Sequence, residues 1–250
     1  MKVIIHGING KMGNTLKKLI VNDPEIEIVA GIDSFPGENT FPVFSSAQEC
    51  TVEADAVIDF SHFSIVPKLI QYCVEAKLPV VVCTTGLTDE QYDLLEEAAK
   101  KIPVFRSANM SLGINVLTEA IKSIVPPLEE NFNIEIIEKH HTKKVDSPSG
   151  TAFLLADTVN NTCKVKKDYV FGRHSKSDVC KMTDLGIHAV RGGTIPGEHT
   201  VIFAGSDEVI EIKHTALSKN IFAHGAIKAA KFIAKAEKGL YNMTDLLNKG

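Results

Sequence analysis

The chain has 250 residues, of which 44% are hydrophobic and 23% charged, and its formal net charge is −4. That is an ordinary globular balance with enough apolar residues for a sizeable core, in one large domain or two modest ones. The charge gives no general reason to expect nucleic-acid or membrane binding, so any anion site must be local. Five cysteines, at positions 50, 73, 83, 163 and 180, contain no C-x-x-C pair. This argues against a disulfide framework and a four-cysteine zinc site, and predicts reduced thiols in a cytoplasmic protein. Residues 1–5 read as neither a signal peptide nor a membrane span.

Residues 2–5 predict a buried strand. Gly7-Ile8-Asn9-Gly10-Lys11-Met12-Gly13 follows, and then a helical pattern through Met12, Leu16, Leu19 and Ile20. Strand, glycine turn and helix form the entry of a dinucleotide-binding unit, because glycines let backbone approach a pyrophosphate and a helix start attracts the anion. The spacing here is G-x-x-G-x-x-G, and by itself it fits a plain tight turn equally well. Residues 25–32 predict a second strand ending at Asp33, twenty residues past Gly13. A carboxylate there suits the ribose hydroxyls of an adenosine and repels a 2′-phosphate. Lys11 offsets that repulsion, and Ser34 rather than an arginine follows the acid, so NADH and NADPH both remain open.

Residues 35–50 are polar and turn-rich. Strands are predicted over 54–61, 78–83 and 104–107, with helices over 63–76 and 88–101 between them. Pro67 fits only the first turn of its helix. Alternation of this kind predicts a parallel, doubly wound sheet with ligands beyond the carboxyl ends of its strands. The polar clusters 59–61, 84–86 and 107–111 fall at those ends, which favours a cofactor cleft. Residues 107–113 read as a crossing between domains. A helix over 114–124 is expected to stop at Pro126-Pro127.

A strand over 133–138 then leads into Glu138-Lys139-His140-His141-Thr142-Lys143-Lys144-Val145-Asp146-Ser147-Pro148-Ser149-Gly150-Thr151-Ala152. Neighbouring residues on a strand point to opposite faces, and no third ligand is spaced to help, so no metal is expected on the histidines. One histidine in the core with solvated lysines is the plain alternative. Against it, Ser149-Gly150-Thr151 opens a helix over 151–159 whose start offers N–H groups and hydroxyls for a carboxylate. A lysine supplies countercharge and a histidine exchanges protons near neutrality. Together they suit a small dicarboxylate. Strands at 167–171, 185–191, 198–204 and 208–216, with a hairpin turn at 205–207, predict a second α+β domain with an open mixed sheet, mostly antiparallel. An open sheet has an edge to protect, and association into an oligomer is one solution. Residues 218–238 form a small-residue helix expected to pack back on the first domain. The expected domains are 1–110 with 219–250, and 111–218.

Several of these stretches together resemble the dihydrodipicolinate reductase family, also named 4-hydroxy-tetrahydrodipicolinate reductase, of the diaminopimelate route to lysine. The resemblance covers nearly the whole chain. Its most specific part is Glu138-x-His140-His141-x-x-Lys144-x-Asp146-Ser147-Pro148-Ser149-Gly150-Thr151-Ala152. Gly7-x-x-Gly10-Lys11-Met12-Gly13, Thr84-Thr85-Gly86, Asn109-x-Ser111-x-Gly113-x-Asn115, Gly197-Glu198-His199-Thr200 and Phe222-Ala223-x-Gly225-Ala226 support it.

The resemblance implies a Rossmann-type fold and NAD(P)H-dependent reduction of a cyclic dicarboxylate. It implies His140 as proton donor to the ring carbon, with Lys144 binding substrate and assisting. His141, Ser149, Gly150 and Thr151 would bind the substrate. Gly7, Ile8, Asn9, Gly10, Lys11 and Met12 would hold the pyrophosphate and Asp33 the ribose. Cys83, Thr84 and Thr85, with Ser107, Ala108, Asn109 and Met110, would border the nicotinamide. It also implies a homotetramer built through the substrate-domain sheets. Three residues depart from the family: Cys83 stands in place of Gly, Lys219 in place of Arg after Ser218, and Ser34 in place of Arg after the acid. The competing readings are another two-domain nicotinamide dehydrogenase, with Cys83 as its cysteine near the cofactor, and a dinucleotide-binding sensor.

Overall fold

The computed structural model describes residues 1–176 and 179–249. The chain divides into two compact units, Met1–Leu112 with Asn220–Gly250, and Gly113–Lys219.

The first unit is built on β1 (Lys2–His6), α1 (Lys11–Ile20), β2 (Glu27–Ile32), β3 (Val43–Phe44) and β4 (Ala56–Asp59). It continues with α2 (Val66–Glu75), β5 (Val80–Val82), α3 (Asp89–Ala99) and β6 (Pro103–Arg106). With β12 (Gly239–Tyr241) at one edge, the seven-stranded sheet has the order β12-β6-β5-β4-β1-β2-β3, and every pairing in it is parallel. Its central strands are apolar on both faces because helices cover both, as a buried parallel sheet requires. Strand order reverses beside β1, between β2 and β4, which is where such sheets open a crevice at their carboxyl ends. Both edge strands are short: β3 has two residues and β12 three. Neither edge was expected from sequence, because a strand this short carries no readable periodicity.

The last helices belong to this unit. Helix α6 (Asn220–Ile233) lies against α1 and the sheet, and α7 (Met243–Lys249) follows β12. Ala223, Ala226, Ala229 and Ala230 are fully buried, and a Cβ on Gly225 would lie 1.7 Å from the carbonyl oxygen of Met110. Small residues are therefore what permits this close approach.

The second unit contains most of α4 (Leu112–Leu128), then β7 (Asn133–His140), α5 (Gly150–Thr162), β8 (Asp168–Val170), β9 (Asp184–Arg191), β10 (Gly197–Ala204) and β11 (Val209–Ala216). The five strands run in the order β11-β10-β7-β9-β8. The sheet is mixed, but not mostly antiparallel: β10 is antiparallel to β11 and β7, whereas β9 is parallel to β7 and β8. The long connections from β7 and β8 to β9 permit parallel pairing that strand spacing alone did not reveal. Along β7 burial alternates, with Ile134, Ile136, Glu138 and His140 turned to the covered face. Leu117, Ile121 and Val125 of α4 and Leu155 and Val159 of α5 complete that core.

Helix α4 also runs further than expected, passing Pro126 and Pro127 to Leu128. The prolines remove only two donors, toward carbonyls of the exposed Lys122 and Ser123, which water can satisfy. Bonds from Glu129 N to Val125 O (2.9 Å) and from Phe132 N to Leu128 O (3.0 Å) close the end.

Candidate functional site

In the first unit, the turn from β1 to α1 is shaped by its glycines. Gly7 has φ +80°, and a Cβ there would sit 2.6 Å from the Phe60 carbonyl oxygen. A Cβ at Gly13 would meet the Ile8 carbonyl oxygen at 2.3 Å. Gly10 is exposed, caps α1 with no side-chain bond, and no acid lies in the helix's first turn. The loop is thus an open anion cradle at a helix N-terminus, and it fits the pyrophosphate of a dinucleotide. Lys11 and Ser34 are exposed. Ile8 is fully buried, so only its backbone can line the cradle.

Asp33 stands beside this loop. Its Oδ2 accepts from Asn9 N at 3.0 Å and its Oδ1 from Phe35 N at 3.0 Å. Asn9 bonds the Phe35 carbonyl and accepts from Asn39 at 3.1 Å, tying the two loops together. Each carboxylate oxygen keeps a second acceptor direction for a hydroxyl.

At the ends of β4 and β5 lies a buried group that sequence reading did not single out. Asp59 is fully buried and takes donors from His6 Nδ1 (2.9 Å), Thr84 Oγ1 (2.6 Å) and Ser61 N (3.2 Å). Thr84's hydroxyl is therefore engaged inside, donating to Asp59 and accepting from Ser61 N at 3.1 Å. Thr85 is exposed. Cys83 is buried, and burial pushes its thiol well above the ordinary range, which disfavours it as a nucleophile. Ala108 is exposed, Ser107 and Asn109 are half-buried, and Met110 is buried against α6.

In the second unit, Glu138 is the hub. It is fully buried at the end of β7. Its Oε2 lies 2.6 Å from His140 Nδ1 and accepts from Arg191 Nη1 at 2.8 Å. Its Oε1 accepts from Arg191 Nη2 at 2.7 Å and from Ser149 N at 3.0 Å. Burial raises the Glu138 carboxyl, but the bonds from Arg191 and His140 outweigh it and hold it below its ordinary value. Glu138 and His140 share a face because they are two residues apart on a strand. Arg191 arrives through β9, whose register sets it opposite His140.

His199, on β10, lies edge-on to His140 with ring centroids 5.1 Å apart. Burial, with the nearby His140, lowers it to about 4, so it is neutral at physiological pH. Its Nε2 is 3.0 Å from Ser149 Oγ. A Cβ at Gly197 would come within 3.1 Å of His140 Nε2, so the glycine leaves room at that nitrogen.

Ser149 was expected against substrate. It is 1% exposed, caps α5 by accepting from Ala152 N at 3.1 Å, and is occupied by Glu138 and His199. Gly150 is exposed at the helix start and Thr151 is half-buried. Lys144 pairs with Asp146 at 2.8 Å, which lowers the Asp146 carboxyl. His141 lies just past β7, and its Nδ1 is buried with no partner among the described residues. Lys219 is exposed. Among the described residues, no group of three or more His, Cys, Asp or Glu is placed to hold a metal, and no helix is long and apolar enough to cross a membrane.

The chain matches two family models. One described as dihydrodipicolinate reductase, N-terminus, covers residues 1–110, and one described as dihydrodipicolinate reductase, C-terminus, covers 113–247. A protein named 4-hydroxy-tetrahydrodipicolinate reductase from Caldanaerobacter subterraneus subsp. tengcongensis is 52% identical over 250 residues, covering 100% of this chain and 99% of that protein. One of the same name from Clostridium tetani is 50% identical over 249 residues, covering 99% and 97%. Among solved structures, the dipicolinate-bound dihydrodipicolinate reductase from Paenisporosarcina sp. TG-14 shares the fold, with a TM-score of 0.81, 23% identity and 97% of each chain covered.

Proposed function

This chain belongs to the dihydrodipicolinate reductase family, and from that premise we propose that it reduces 4-hydroxy-tetrahydrodipicolinate to tetrahydrodipicolinate with NAD(P)H, in the diaminopimelate route to lysine. The geometry that carries this reading is the His140 ring, held by buried Glu138 with Lys144 four residues on. When bound, the nicotinamide supplies the hydride. His140 donates the proton to the ring carbon. Lys144 exchanges Asp146 for the anionic substrate and assists in protonation. His141, Gly150 and Thr151 hold the substrate carboxylates, and Ser149 positions the start of α5 rather than touching substrate.

The cradle of Gly7, Ile8, Asn9, Gly10, Lys11 and Met12 holds the pyrophosphate, and Asp33 holds the adenosine ribose. Cys83, Thr84 and Thr85, with Ser107 to Met110, border the nicotinamide. Asp33 opposes a 2′-phosphate and Lys11 attracts one, so both cofactors are taken.

Steady-state kinetics on enzymatically generated substrate tests this. Turnover with both NADH and NADPH is the expected result, and none with either would reject the function. His140→Ala and Lys144→Ala should each lower kcat strongly with NADH binding nearly unchanged. Wild-type turnover in both would sink the assigned roles.

The cytoplasmic assembly proposed is a homotetramer formed through the second unit's open sheet. Supporting it, Val190 is 44% and Val209 59% exposed on the uncovered face, and β11 is an eight-residue edge strand. Sedimentation should give the mass of four chains. A monomer at micromolar concentration would exclude this assembly.

A further inference from the structure

The proton-donor role proposed for His140 leaves one question open: which ring nitrogen exchanges the proton, and what decides it. Four observations bear on this. Glu138 Oε2 is 2.6 Å from His140 Nδ1, inside the unit, with no exposure of the carboxylate. Arg191 grips both oxygens of that carboxylate, at 2.8 and 2.7 Å, and Ser149 N adds a third donor at 3.0 Å. Gly197 keeps a side chain away from Nε2. The neighbouring His199 ring is turned edge-on and is bonded to Ser149 instead of to His140.

An ionised carboxylate only accepts hydrogen bonds, so the nitrogen facing it must carry a hydrogen. The fixed positive charge of Arg191 penalises the carboxylic acid form of Glu138, which keeps that hydrogen on the ring. We infer that Glu138, clamped by Arg191, is a positioning residue that fixes the neutral His140 ring as its Nδ1–H tautomer and makes Nε2 the atom that loses and regains the proton. This rests on the reading of His140 as the donor and deepens it. In the step, the Nε2–H bond breaks as the proton passes to the substrate carbon. The electron pair stays on Nε2, Nδ1–H remains bonded to Glu138, and water returns a proton to Nε2 afterwards. Neither Glu138 nor Arg191 touches the reacting atoms.

The test is long-range ¹⁵N–¹H NMR of the imidazole rings in the full-length wild-type chain, with His140 assigned by the loss of its signals in His140→Gln. In the neutral ring, Nδ1 should show the pyrrole-type shift and Nε2 the pyridine-type shift. The opposite pattern, or a mixture, overturns the inference and needs no change at Glu138 or Arg191. In Glu138→Gln, which keeps the side chain's shape but replaces an acceptor by an amide, the single tautomer should give way to a mixture. There kcat should fall on the order of a hundredfold, with NADH affinity unchanged. A folded Glu138→Gln protein with the wild-type tautomer and wild-type kcat also overturns it. Absence of turnover in the wild-type chain would defeat the functional reading alone, because the tautomer is read without substrate.

Discussion

Arg191 closes on Glu138 with both arms of its guanidinium, Nη1 to Oε2 at 2.8 Å and Nη2 to Oε1 at 2.7 Å. It also donates to the Asp146 carbonyl at 2.7 Å, so one side chain ties β9 to β7 and to the segment before α5. Removing only the cation leaves a fully buried carboxylate without its countercharge. Arg191→Met should therefore cost roughly 3 kcal/mol of stability in urea unfolding. Arg191→Met with Glu138→Leu should recover part of that loss, since no buried charge is then stranded. A single variant within 0.5 kcal/mol of wild type, roughly the scatter of neutral surface changes, would show that the pair is not structural.

Acid should weaken the second unit, and Glu138 and His199, together with Asp146, Glu198 and His214, all contribute with the same sign. Glu138 has a folded value below its ordinary 4.5, so its contribution is present above that range and is lost as pH falls through the folded value. His199 has a folded value of about 4 against an ordinary 6.5. The unfolded chain takes up that proton first, so stability falls as pH drops from 6.5 toward 4, by about 3 kcal/mol at most. Urea midpoints measured across this window should slope downward toward acid. In His199→Gln the slope above pH 5 should flatten; an unchanged slope would assign it to other groups.

The contact between α6 and the Met110 carbonyl leaves no room for a methyl group. Gly225→Ala should destabilise the first unit by about 1–3 kcal/mol, as overpacking does. Gly150 supplies the contrast, since a Cβ there meets nothing within 4 Å. Gly150→Ala should change the thermal midpoint little. Equal effects at the two sites would contradict the packing described.

Thiol chemistry separates the buried cysteines from the exposed one. Cys50, Cys73, Cys83 and Cys163 are buried and Cys180 is exposed. Native protein should react rapidly at one thiol with a disulfide reagent, and at all five after unfolding. Rapid modification of Cys83 would revive the reading in which a cysteine serves the chemistry.

What the sequence determined by itself was mostly local. The glycine turn, the acid twenty residues beyond it and the alternation of strands with helices already implied the parallel sheet and the tight turn that opens α1, because each depends on neighbouring residues. The stretch from Glu138 to Ala152 announced a strand end and a helix start in the same way, but the strand expected to stop at Glu138 runs on to His140, and that extension puts the two side chains on one face. Tertiary structure decided the partners. Arg191 meets Glu138 across 53 residues only because β9 runs parallel to β7 in a particular register. His199 reaches Ser149 through the antiparallel pairing of β10 with β7, and Asp59 gains His6 through the pairing of β4 with β1. Ser149 looked open in the sequence because a polar residue at a helix start usually is. The fold buries it, since its N–H and hydroxyl find partners that only the assembled sheet supplies.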